Sequence, residues 1–422
     1  AGGTGGHIYP ALSIIDKFKE KEKNLNVLYI GTHNRMEKDI VPKHNIPFKT
    51  IEIYGFSKNL FFNFKTIKKF VSAYKDAKKM IQEFKPDIVI GTGGYICGPV
   101  FSAATKLKIP TMLHESNSVP GMAVKMLAKK VDTILVSFNE TIKRIKCKNI
   151  IHTGTPVKIK KKEYGINEKN KIFKDLGLKD EKPAILVFGG SQGAKHINEA
   201  ILNIIQNKLN KNYQLIWATG PKQYDIVKEE LEKNNININY IQNIKIVPYI
   251  YNMEEIMNVV DVIVARGGAM TVTEISNLGK PSILIPLPTV SHNHQFYNAK
   301  TLEEVGAAKI ILDDKLDGVI LNNSIEEIIS NKAKMEQMGK NALKVSTVDA
   351  EEKIYQEIKK LVKNEPISFL ITIGAMYLLK DYITARAQLV TFILFILTIF
   401  FIEKFRYNIR NNYSACRNQR IH

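Results

Sequence analysis

Four glycine-rich segments constrain the fold of this chain more than any other feature of its sequence. They begin at Gly2 (GGTGGH), Gly91 (GTGGYICGP), Gly189 (GGSQGA) and Gly267 (GGAMTVTE), and each leads into a segment with a helical pattern. A glycine loop that opens a helix lets backbone N–H groups approach a phosphate closely, and the helix N-terminus adds positive potential. The spacing fits neither a dinucleotide fingerprint nor a Walker loop, and any one loop taken alone is equally consistent with a tight turn.

Short β-branched runs alternate with amphipathic helical stretches along almost the whole chain. This alternation predicts an α/β protein with doubly wound parallel sheets and helices on both faces. The predicted strands are 27–30, 87–90, 111–114, 133–136, 184–188, 214–218, 261–265 and 282–286, and the predicted helices include 10–18, 66–84, 194–209 and 271–278. The first glycine loop has no strand before it, so we expect that an N-terminal strand is missing from the sequence.

The length of 422 residues exceeds what one hydrophobic core usually holds, which predicts two domains and an appendage. A charged stretch at 158–170 separates two series of strands and helices, although a long surface loop within one domain has the same pattern. We predict a first domain at 1–158 and a second at 171–346. A helix at 347–363 is expected to pack back on the first domain, followed by an apolar and basic tail at 366–422.

The tail contains two apolar runs, 367–379 and 389–402, with basic residues on both outer sides. Each run is shorter than the ~20 residues that usually span a bilayer. The basic flanks favour a transmembrane hairpin with both ends in the cytoplasm, while a single tilted span or an interfacial pair is nearly as well supported.

The net charge of +20 favours anionic partners, namely phosphorylated substrates, an anionic membrane surface or nucleic acid. Because the lysines are scattered and no recognition motif occurs, we do not expect a nucleic-acid partner. The three cysteines are widely spaced and match neither a disulfide framework nor a zinc site, which fits a reducing cytoplasm.

In the first half, two side chains could act as bases. His7 closes the first glycine loop, where a neutral imidazole could take a proton from a hydroxyl or could simply bond its own turn. Glu115, in the HESN segment at 114–117, could also serve as a base or could belong to a strand-end turn. Two glycine loops in one half indicate a site for a second phosphate group.

In the second half, Glu274 lies within the first two turns of a helix that opens on glycines. Its carboxylate could accept both hydroxyls of a ribose, or could serve only as an acid placed favourably near a helix N-terminus. The segment HNHQFYNA at 292–299 offers amide groups for sugar hydroxyls. Its two histidines lack the further ligands that a metal site needs, so no metal is expected.

The motifs GGTGGHIYPAL, GTGGYICGP, HESN, GGSQGA, RGGAMTVTE and NHQFYNA occur in this order over about residues 1–362, and together they resemble the MurG family of UDP-N-acetylglucosamine transferases. The resemblance implies a GT-B fold, with two Rossmann-like domains facing a cleft. It also implies an inverting, metal-independent transfer of N-acetylglucosamine (GlcNAc) from UDP-GlcNAc to the 4-hydroxyl of undecaprenyl-diphosphate-linked MurNAc-pentapeptide. This step converts lipid I to lipid II in peptidoglycan synthesis, at the cytoplasmic face of the bacterial cell membrane and without a cofactor.

The resemblance also implies roles for individual residues. The residues that would hold UDP-GlcNAc are Thr4, Gly5, Gly6, Asn117, Lys158, Ser191, Ile250, Ala269, Met270, Thr271, Val272, Thr273, Glu274 and Gln295. Within this set, Glu274 would bind the ribose, Ile250 the uracil and Gln295 the GlcNAc hydroxyls. The acceptor diphosphate would lie on Gly3, Gly93, Gly94 and Tyr95. His7 would be the catalytic base, with Glu115 as the alternative.

Lys158 departs from the family pattern, which often has arginine at this position. Lysine keeps the charge but loses the bidentate geometry of a diphosphate contact. Because no Asp-x-Asp segment occurs in the chain, the leaving UDP would be stabilised by helix dipoles and cations rather than by bound Mg²⁺.

The segment Phe56–Lys79 interleaves aromatic and aliphatic side chains with lysines. This pattern indicates a peripheral membrane patch or, equally, a buried helix face with a solvated lysine side. A lipid acceptor favours the membrane. The competing functions are a UDP-GlcNAc 2-epimerase, another GT-B transferase, and a non-catalytic, membrane-bound nucleotide-sugar-binding subunit; the first-half motifs argue against the two enzymes.

Overall fold

The structure is a computed structural model that describes residues 1–54, 60–178, 182–190, 193–237 and 243–363, with the isolated positions 396 and 399. For residues 60–65 and Ser291 only the backbone is described. Residues 1–359 form one compact unit, and 360–422 form a second, of which only the end of a helix and the two isolated positions are described. The hairpin predicted at 366–422 therefore lies outside the described residues. No helix among the described residues is long and apolar enough to cross a bilayer.

The first half contains two parallel sheets with helices between the strands. One sheet pairs β1 with β2, and the other has the order β3-β4-β5-β6. The strands are β1 (Tyr29–Gly31), β2 (Phe48–Thr50), β3 (Val89–Gly91), β4 (Thr111–Glu115), β5 (Thr133–Val136) and β6 (Ile150–His152). The helices are α1 (Gly5–Lys21), α2 (Glu37–Ile40), α3 (Leu60–Phe84), α4 (Cys97–Lys106), α5 (Met122–Leu127) and α6 (Asn139–Ile142). The Ala1 nitrogen lies 3.4 Å from the Ile30 carbonyl oxygen, and the missing N-terminal strand stays a prediction.

The second half is built on one six-stranded parallel sheet in the order β12-β11-β10-β7-β8-β9. Its strands are β7 (Ala184–Phe188), β8 (Gln214–Ala218), β9 (Ile244–Val247), β10 (Val262–Ala265), β11 (Ser282–Leu284) and β12 (Ala308–Ile310). Its helices are α7 (Ile166–Asp175), α8 (Lys195–Gln206), α9 (Pro221–Lys233), α10 (Met253–Val259), α11 (Ala269–Leu278), α12 (His294–Glu304), α13 (Gly318–Ile329) and α14 (Lys332–Lys344), and α15 (Ala350–Lys363) follows. The chain winds outward from β7 to β9 and then from β10 to β12, so the strand order reverses between β7 and β10. Ligands of such sheets bind in the crevice at this reversal, outside the carboxyl ends of the strands.

Burial on both faces explains why the central strands are continuous apolar runs. All five residues of β7 and all four of β10 are buried, with one hydrophobic cluster on each side of the sheet. Parallel strands covered by helices on both faces have this composition. The fully buried Trp217 on β8 donates from its ring nitrogen to Asn198 on α8 at 3.0 Å, which satisfies its polar atom.

Two chain segments join the halves, and they meet at Gly154. This glycine has a φ of +87°, and a Cβ there would lie 2.2 Å from the Thr347 hydroxyl oxygen, so a side chain does not fit. Close by, the hydroxyl oxygens of Thr273 on α11 and Thr155 lie 3.2 Å apart, within hydrogen-bonding distance. The two halves are therefore in direct contact where their connections cross.

Helix α15 returns the chain to the first half. The Tyr355 ring packs on Phe18 of α1 with centroids 4.8 Å apart, and both Tyr355 and Lys359 donate to the Glu22 carboxylate, at 2.7 and 2.6 Å. These contacts agree with the arrangement expected for 347–363, while the exact domain boundaries stay a prediction.

The parallel α/β class predicted from the sequence is confirmed by the fold, since the two sheets of the first half and the one of the second are all parallel among the described residues. Strands β5, β7 and β8 have the predicted bounds, and the other predicted strands shift by one or two residues at an end. Helix α3 begins at residue 60 rather than 66. Four further strands, β2, β6, β9 and β12, were not predicted; each contains residues that are only partly buried, so its apolar signal is weak.

Candidate active site

The two glycine loops of the first half touch each other and form one surface. The Thr92 hydroxyl, just after β3, donates to the His7 carbonyl at 2.6 Å. At Gly94, where φ is +87°, a Cβ would lie 2.4 Å from the Gly2 carbonyl oxygen. The loops that the sequence places 85 residues apart are therefore packed backbone to backbone, and the N-terminal ends of α1 and α4 lie close to each other.

Glu37 anchors the first of these loops, a role that the sequence did not predict. Its carboxylate accepts hydrogen bonds from the Gly3 N–H at 3.1 Å and from the Thr32 N–H and hydroxyl at 3.0 and 2.6 Å. Burial alone raises the pKa of a carboxyl group, but these bonds outweigh it and hold the pKa of Glu37 below its usual value. An acid in a short helix beside a strand end carries no distinctive sequence signal.

The His7 imidazole has a defined orientation. Its Nδ1 lies 3.1 Å from the Gly2 carbonyl oxygen and must donate there, because a carbonyl can only accept. Nε2 is then the unprotonated nitrogen of the neutral ring. The ring lies against Gly93, where φ is +105° and a Cβ would come within 2.8 Å of Nε2. Burial lowers the pKa of His7, partly opposed by the Gly2 bond, so the ring is neutral at pH 7 and able to accept a proton.

Glu115 is occupied as a loop anchor. One carboxylate oxygen accepts from the backbone and side-chain N–H groups of Asn117, at 2.9 and 3.1 Å, and the other accepts from the Gly121 N–H at 2.8 Å. Burial raises the pKa of Glu115, and these three donors oppose the shift. A buried carboxylate with this many donors is poorly placed to collect a substrate proton, so the geometry argues against Glu115 as the alternative base.

His114 lies inside the first half and cannot reach a sugar. It is fully buried, with Nε2 2.9 Å from the Gly154 carbonyl and Nδ1 3.3 Å from the Ser116 hydroxyl. Burial lowers its pKa to about 4, so it stays neutral. Of the polar groups of the HESN segment, only Asn117 remains near the cleft.

The glycine loops of the second half flank the reversal of strand order. One follows β7 and the other follows β10, and these strands are neighbours. Residues 191 and 192 lie outside the described residues, so the expected role of Ser191 stays a prediction. In the other loop, a Cβ at Gly267 would lie 2.3 Å from the Gln295 backbone oxygen, so the loop packs tightly on the start of α12. The N–H groups at the first turn of α11 have no partner within the helix and are open to an anion.

Within 269–274, the structure separates side chains that face the cleft from side chains that do not. Val272 is buried in the core, and the Thr273 hydroxyl donates to the Ala269 carbonyl at 2.9 Å, so these two can meet a donor only through their backbone. Glu274 is half-buried, and none of the described residues bonds to its carboxylate. Burial raises the pKa of Glu274 to about 8. At pH 7 the free protein therefore holds Glu274 mostly in its protonated form, and a ligand that needs a carboxylate acceptor displaces this proton.

Gln295 and Ile250 are both held by the second half. The Gln295 side-chain oxygen accepts from the Leu287 N–H at 2.9 Å, which fixes the amide so that its NH₂ group is the donor offered to a ligand. Ile250 is buried in the core of the second half, so only its backbone is available to the uracil.

Lys158 is paired rather than free for a phosphate. Its ammonium lies 2.6 Å from the Asp16 carboxylate on α1, and both side chains are exposed. A diphosphate contact would require this pair to open, which agrees with the departure from arginine at this position.

Asn298 on α12 connects the two halves at the centre of the site. The fully buried amide accepts from the Ser118 N–H at 2.9 Å and donates to the Asn117 side-chain oxygen at 3.1 Å and to the Gly267 carbonyl at 3.2 Å. The sequence predicted that amide groups of the segment 292–299 bind sugar hydroxyls. It did not predict that the Asn298 amide forms hydrogen bonds with both halves.

A metal ion has no evident place among the described residues, since no three histidine, cysteine, aspartate or glutamate side chains lie close enough together to hold one.

Comparisons with known proteins agree with this geometry. Residues 1–136 match the glycosyltransferase family 28 N-terminal domain, and residues 184–358 match the glycosyltransferase family 28 C-terminal domain. A Bacillus pumilus protein is 42% identical over 361 residues, covering 85% of this chain and 97% of its own length, and a Bacillus cytotoxicus protein is 43% identical over 364 residues, covering 86% and 98%. Both are UDP-N-acetylglucosamine–N-acetylmuramyl-(pentapeptide) pyrophosphoryl-undecaprenol N-acetylglucosamine transferases.

Solved structures confirm the GT-B fold predicted from the sequence. Acinetobacter baumannii MurG superposes with a TM-score of 0.68 at 26% identity, over 85% of this chain and 97% of that one. A putative UDP-N-acetylglucosamine 2-epimerase from Listeria monocytogenes superposes with a TM-score of 0.59 at 14% identity, over 85% and 94%, which reflects the fold alone.

Proposed function

The chain belongs to glycosyltransferase family 28, in its MurG branch, and we propose on this basis that it transfers GlcNAc from UDP-GlcNAc to the lipid-linked muramyl-pentapeptide, lipid I, to give lipid II. The observation that supports this most directly is the placement of His7. A neutral imidazole with a defined unprotonated nitrogen lies on the paired glycine loops of the first half. The donor loops of the second half meet the first half through Asn298.

The second half binds the donor in this proposal. The N–H groups at the start of α11 receive the diphosphate, the Glu274 carboxylate accepts from both ribose hydroxyls, and the Gln295 amide donates to a GlcNAc hydroxyl. The leaving UDP carries its developing charge toward a helix N-terminus, which stabilises it without a metal ion.

The first half binds the acceptor. Two helix N-terminal ends, each preceded by a glycine loop, are packed together in this half. A UDP-sugar needs only one diphosphate site, which the second half supplies. The pair of loops in the first half therefore suits the lipid diphosphate, held at Gly3, Gly93, Gly94 and Tyr95.

The reaction then follows from the position of His7. Nε2 accepts the proton of the acceptor 4-hydroxyl while the oxygen of this hydroxyl attacks C1 of GlcNAc. The bond between C1 and the UDP oxygen breaks at the same time. Attack from the face opposite the leaving UDP inverts the configuration at C1. The Gly2 carbonyl, which accepts from Nδ1, stabilises the imidazolium that forms.

A membrane-docking surface on α3 and α5 would give this acceptor half access to a lipid. Residues of both helices share a hydrophobic core cluster with α4. Ile67 and Val71 on α3 are 52% and 50% exposed, and Met122 and Met126 on α5 are 53% and 58% exposed. The surrounding exposed lysines are Lys68, Lys75, Lys79, Lys125, Lys129 and Lys130. Apolar side chains among lysines suit an anionic bilayer surface.

Part of the predicted patch does not face outward. Phe70 is half-buried and packs on the core of the first half, and the side chains at 56 and 61–64 are not described. The surface proposed here is therefore the exposed part of α3 together with α5.

Replacing Ile67 and Val71 with aspartate is expected to weaken binding to vesicles containing anionic phospholipid by about tenfold, since each change removes an inserting side chain and adds repulsion. Vesicle flotation measures the bound fraction, with the full chain and with a chain that ends at Lys363. Ile226 on α9, also 52% exposed, provides a matched control when changed to aspartate. If the original protein, the variant at Ile67 and Val71 and the Ile226 variant, each ending at Lys363, float to the same extent, a role for α3 is contradicted.

The proposed function is tested with radiolabelled UDP-GlcNAc and a lipid I analogue. We expect a lipid-linked disaccharide product. Release of the free epimer would instead identify an epimerase, and UDP-GlcNAc binding without turnover would identify a non-catalytic binding subunit.

A further inference from the structure

One peptide group lies between the proposed base, His7, and the carboxylate of Glu37. The carbonyl of the Gly2–Gly3 peptide accepts from His7 Nδ1 at 3.1 Å, and the N–H of the same peptide donates to the Glu37 carboxylate at 3.1 Å. The two groups of a trans peptide point in opposite directions. A hydrogen-bonded line therefore runs from the imidazole, through one peptide, to a carboxylate.

The Glu37 carboxylate is ionised and fixed in place. Its side chain is completely buried, and Oε1 accepts from the N–H and the hydroxyl of Thr32, at 3.0 and 2.6 Å, which leaves Oε2 for Gly3. These bonds hold the pKa of Glu37 below its usual value, so the group is charged at pH 7. A Cβ at Gly2 would lie 2.4 Å from Oε1, so only a glycine lets the loop approach this closely.

A charge in this position affects the far side of the peptide. A peptide N–H that donates to a carboxylate is polarised, and its carbonyl then becomes a stronger acceptor. The negative carboxylate also attracts the positive ring that forms when His7 takes up a proton. The Ala1 amino group and His294, at the start of α12, also act on the ring and disfavour its protonated form, whereas Glu37 favours it.

We propose that Glu37 is a positioning residue that acts on His7 through the Gly2–Gly3 peptide, holding Nδ1 as the donor and stabilising the imidazolium formed when Nε2 takes the acceptor proton. The proposal rests on the proposed function and deepens it. The proton moves from the acceptor hydroxyl to Nε2, and Glu37 stays ionised throughout. Because Glu37 lies behind the loop, its loss should lower kcat and spare the binding of UDP.

Replacement of Glu37 with glutamine tests this, because it removes the charge and keeps the size. At saturating UDP-GlcNAc we expect kcat to fall about tenfold, a part of what the base itself contributes, while UDP affinity stays within about threefold. The acidic limb of kcat should move to lower pH, since the imidazolium loses its support. A loosened loop would move it to higher pH, because a ring that reaches water regains the proton affinity that burial lowers.

The variant that combines Glu37→Gln with His7→Asn separates the two roles at neutral pH. If Glu37 acts through His7, the combined variant should be no more than about twofold slower than His7→Asn alone, since the base is already absent. A further fall of about tenfold in the combined variant would overturn the proposal, because Glu37 would then act on something other than the base.

Asp132→Asn is the matched control in the same half. Asp132 accepts from the N–H and the hydroxyl of Thr111 at 3.0 and 2.8 Å, the same pair of bonds that Glu37 accepts from Thr32. It lies at the amino ends of β4 and β5, and the glycine loop at Gly91 follows the carboxyl end of β3. We expect the asparagine variant to keep the original kcat and pH profile.

Glu37→Asp keeps the charge at a shorter reach, so its kcat should lie between those of the glutamine variant and the original protein. It serves alone if the glutamine variant does not fold. An original kcat in the Glu37 variants, or an acidic limb that moves to higher pH, would overturn the proposal. Absence of product from the original protein would overturn the proposed function itself, and NMR titration of the His7 ring would still show whether Glu37 supports its proton.

Discussion

Replacement of His7 with alanine is expected to lower kcat for GlcNAc transfer by about 1,000-fold, within the range contributed by a positioned general base. UDP affinity should stay unchanged, because the contacts proposed for the UDP part of the donor, at the start of α11 and at Glu274, lie in the second half. The physical reason is the orientation of the ring, whose Nδ1 is committed to the Gly2 carbonyl and whose Nε2 is left to receive the proton. The radiolabel assay and UDP calorimetry on the same preparation give the two quantities.

His7→Asn provides a sharper version of the same experiment. Its amide can still donate to the Gly2 carbonyl but cannot take up a proton, so it should be as inactive as the alanine variant. His33 is an exposed histidine of the same half, and its replacement with alanine serves as the control. Turnover at the original level in either His7 variant would exclude it as the base.

The pH dependence of the original enzyme follows from the lowered pKa of His7. Below that pKa the ring is protonated and cannot accept the hydroxyl proton, so kcat, measured at saturating UDP-GlcNAc to remove the effect of pH on donor binding, should decline only below the usual histidine value of 6.5 and stay flat above it with respect to this group. A decline that begins well above pH 7 would contradict the assignment.

Replacement of Glu274 with glutamine is expected to weaken UDP-GlcNAc binding by about 3 kcal/mol, or roughly 100-fold, because two hydrogen bonds from the ribose to a charged group are lost or weakened. In the free protein, burial raises the pKa of Glu274 to about 8. Binding to the ionised form therefore releases a proton below that pH, and affinity should increase as pH rises toward 8 and level off above it.

Calorimetry of UDP-GlcNAc binding between pH 6.5 and 8.5 measures this directly. We expect affinity to rise at least about tenfold over this range, since the ionised fraction of a group with a pKa of about 8 rises by more than that. The glutamine variant has no ionisation at this position and should bind with a flat profile. If the affinity of the original protein for UDP-GlcNAc does not change with pH, Glu274 is not the group that binds the ribose.

Sequence patterns predicted the parts of this fold that depend on local burial. Strands β7 and β8 are buried along their full length and were located correctly, because a fully buried strand is a continuous apolar run. The edge strand β12 has one buried residue followed by two half-buried ones and resembles a loop in the sequence. Tertiary pairing, rather than its own composition, makes it a strand.

The site shows the same division. His7 was found because glycines, a helix start and a titratable group coincide locally. The loop contact of Glu37 was missed because Gly3 lies 34 residues away in the chain. Asn298 lies in a segment that the sequence singled out, but its contact with Ser118, 180 residues away, was missed. Glu115 was found as a polar strand-end residue, but only the structure shows that its oxygens are already taken by Asn117 and Gly121.

The crossing of the two connections at Gly154 and Thr347 determines how the cleft can open. Because two segments join the halves and touch at this point, we expect the cleft to open by rotation about an axis near the crossing rather than by sliding or by even separation of the halves. Opening to admit a UDP-sugar or to release UDP then moves the far side of the cleft most and the region near Thr155 and Thr273 least.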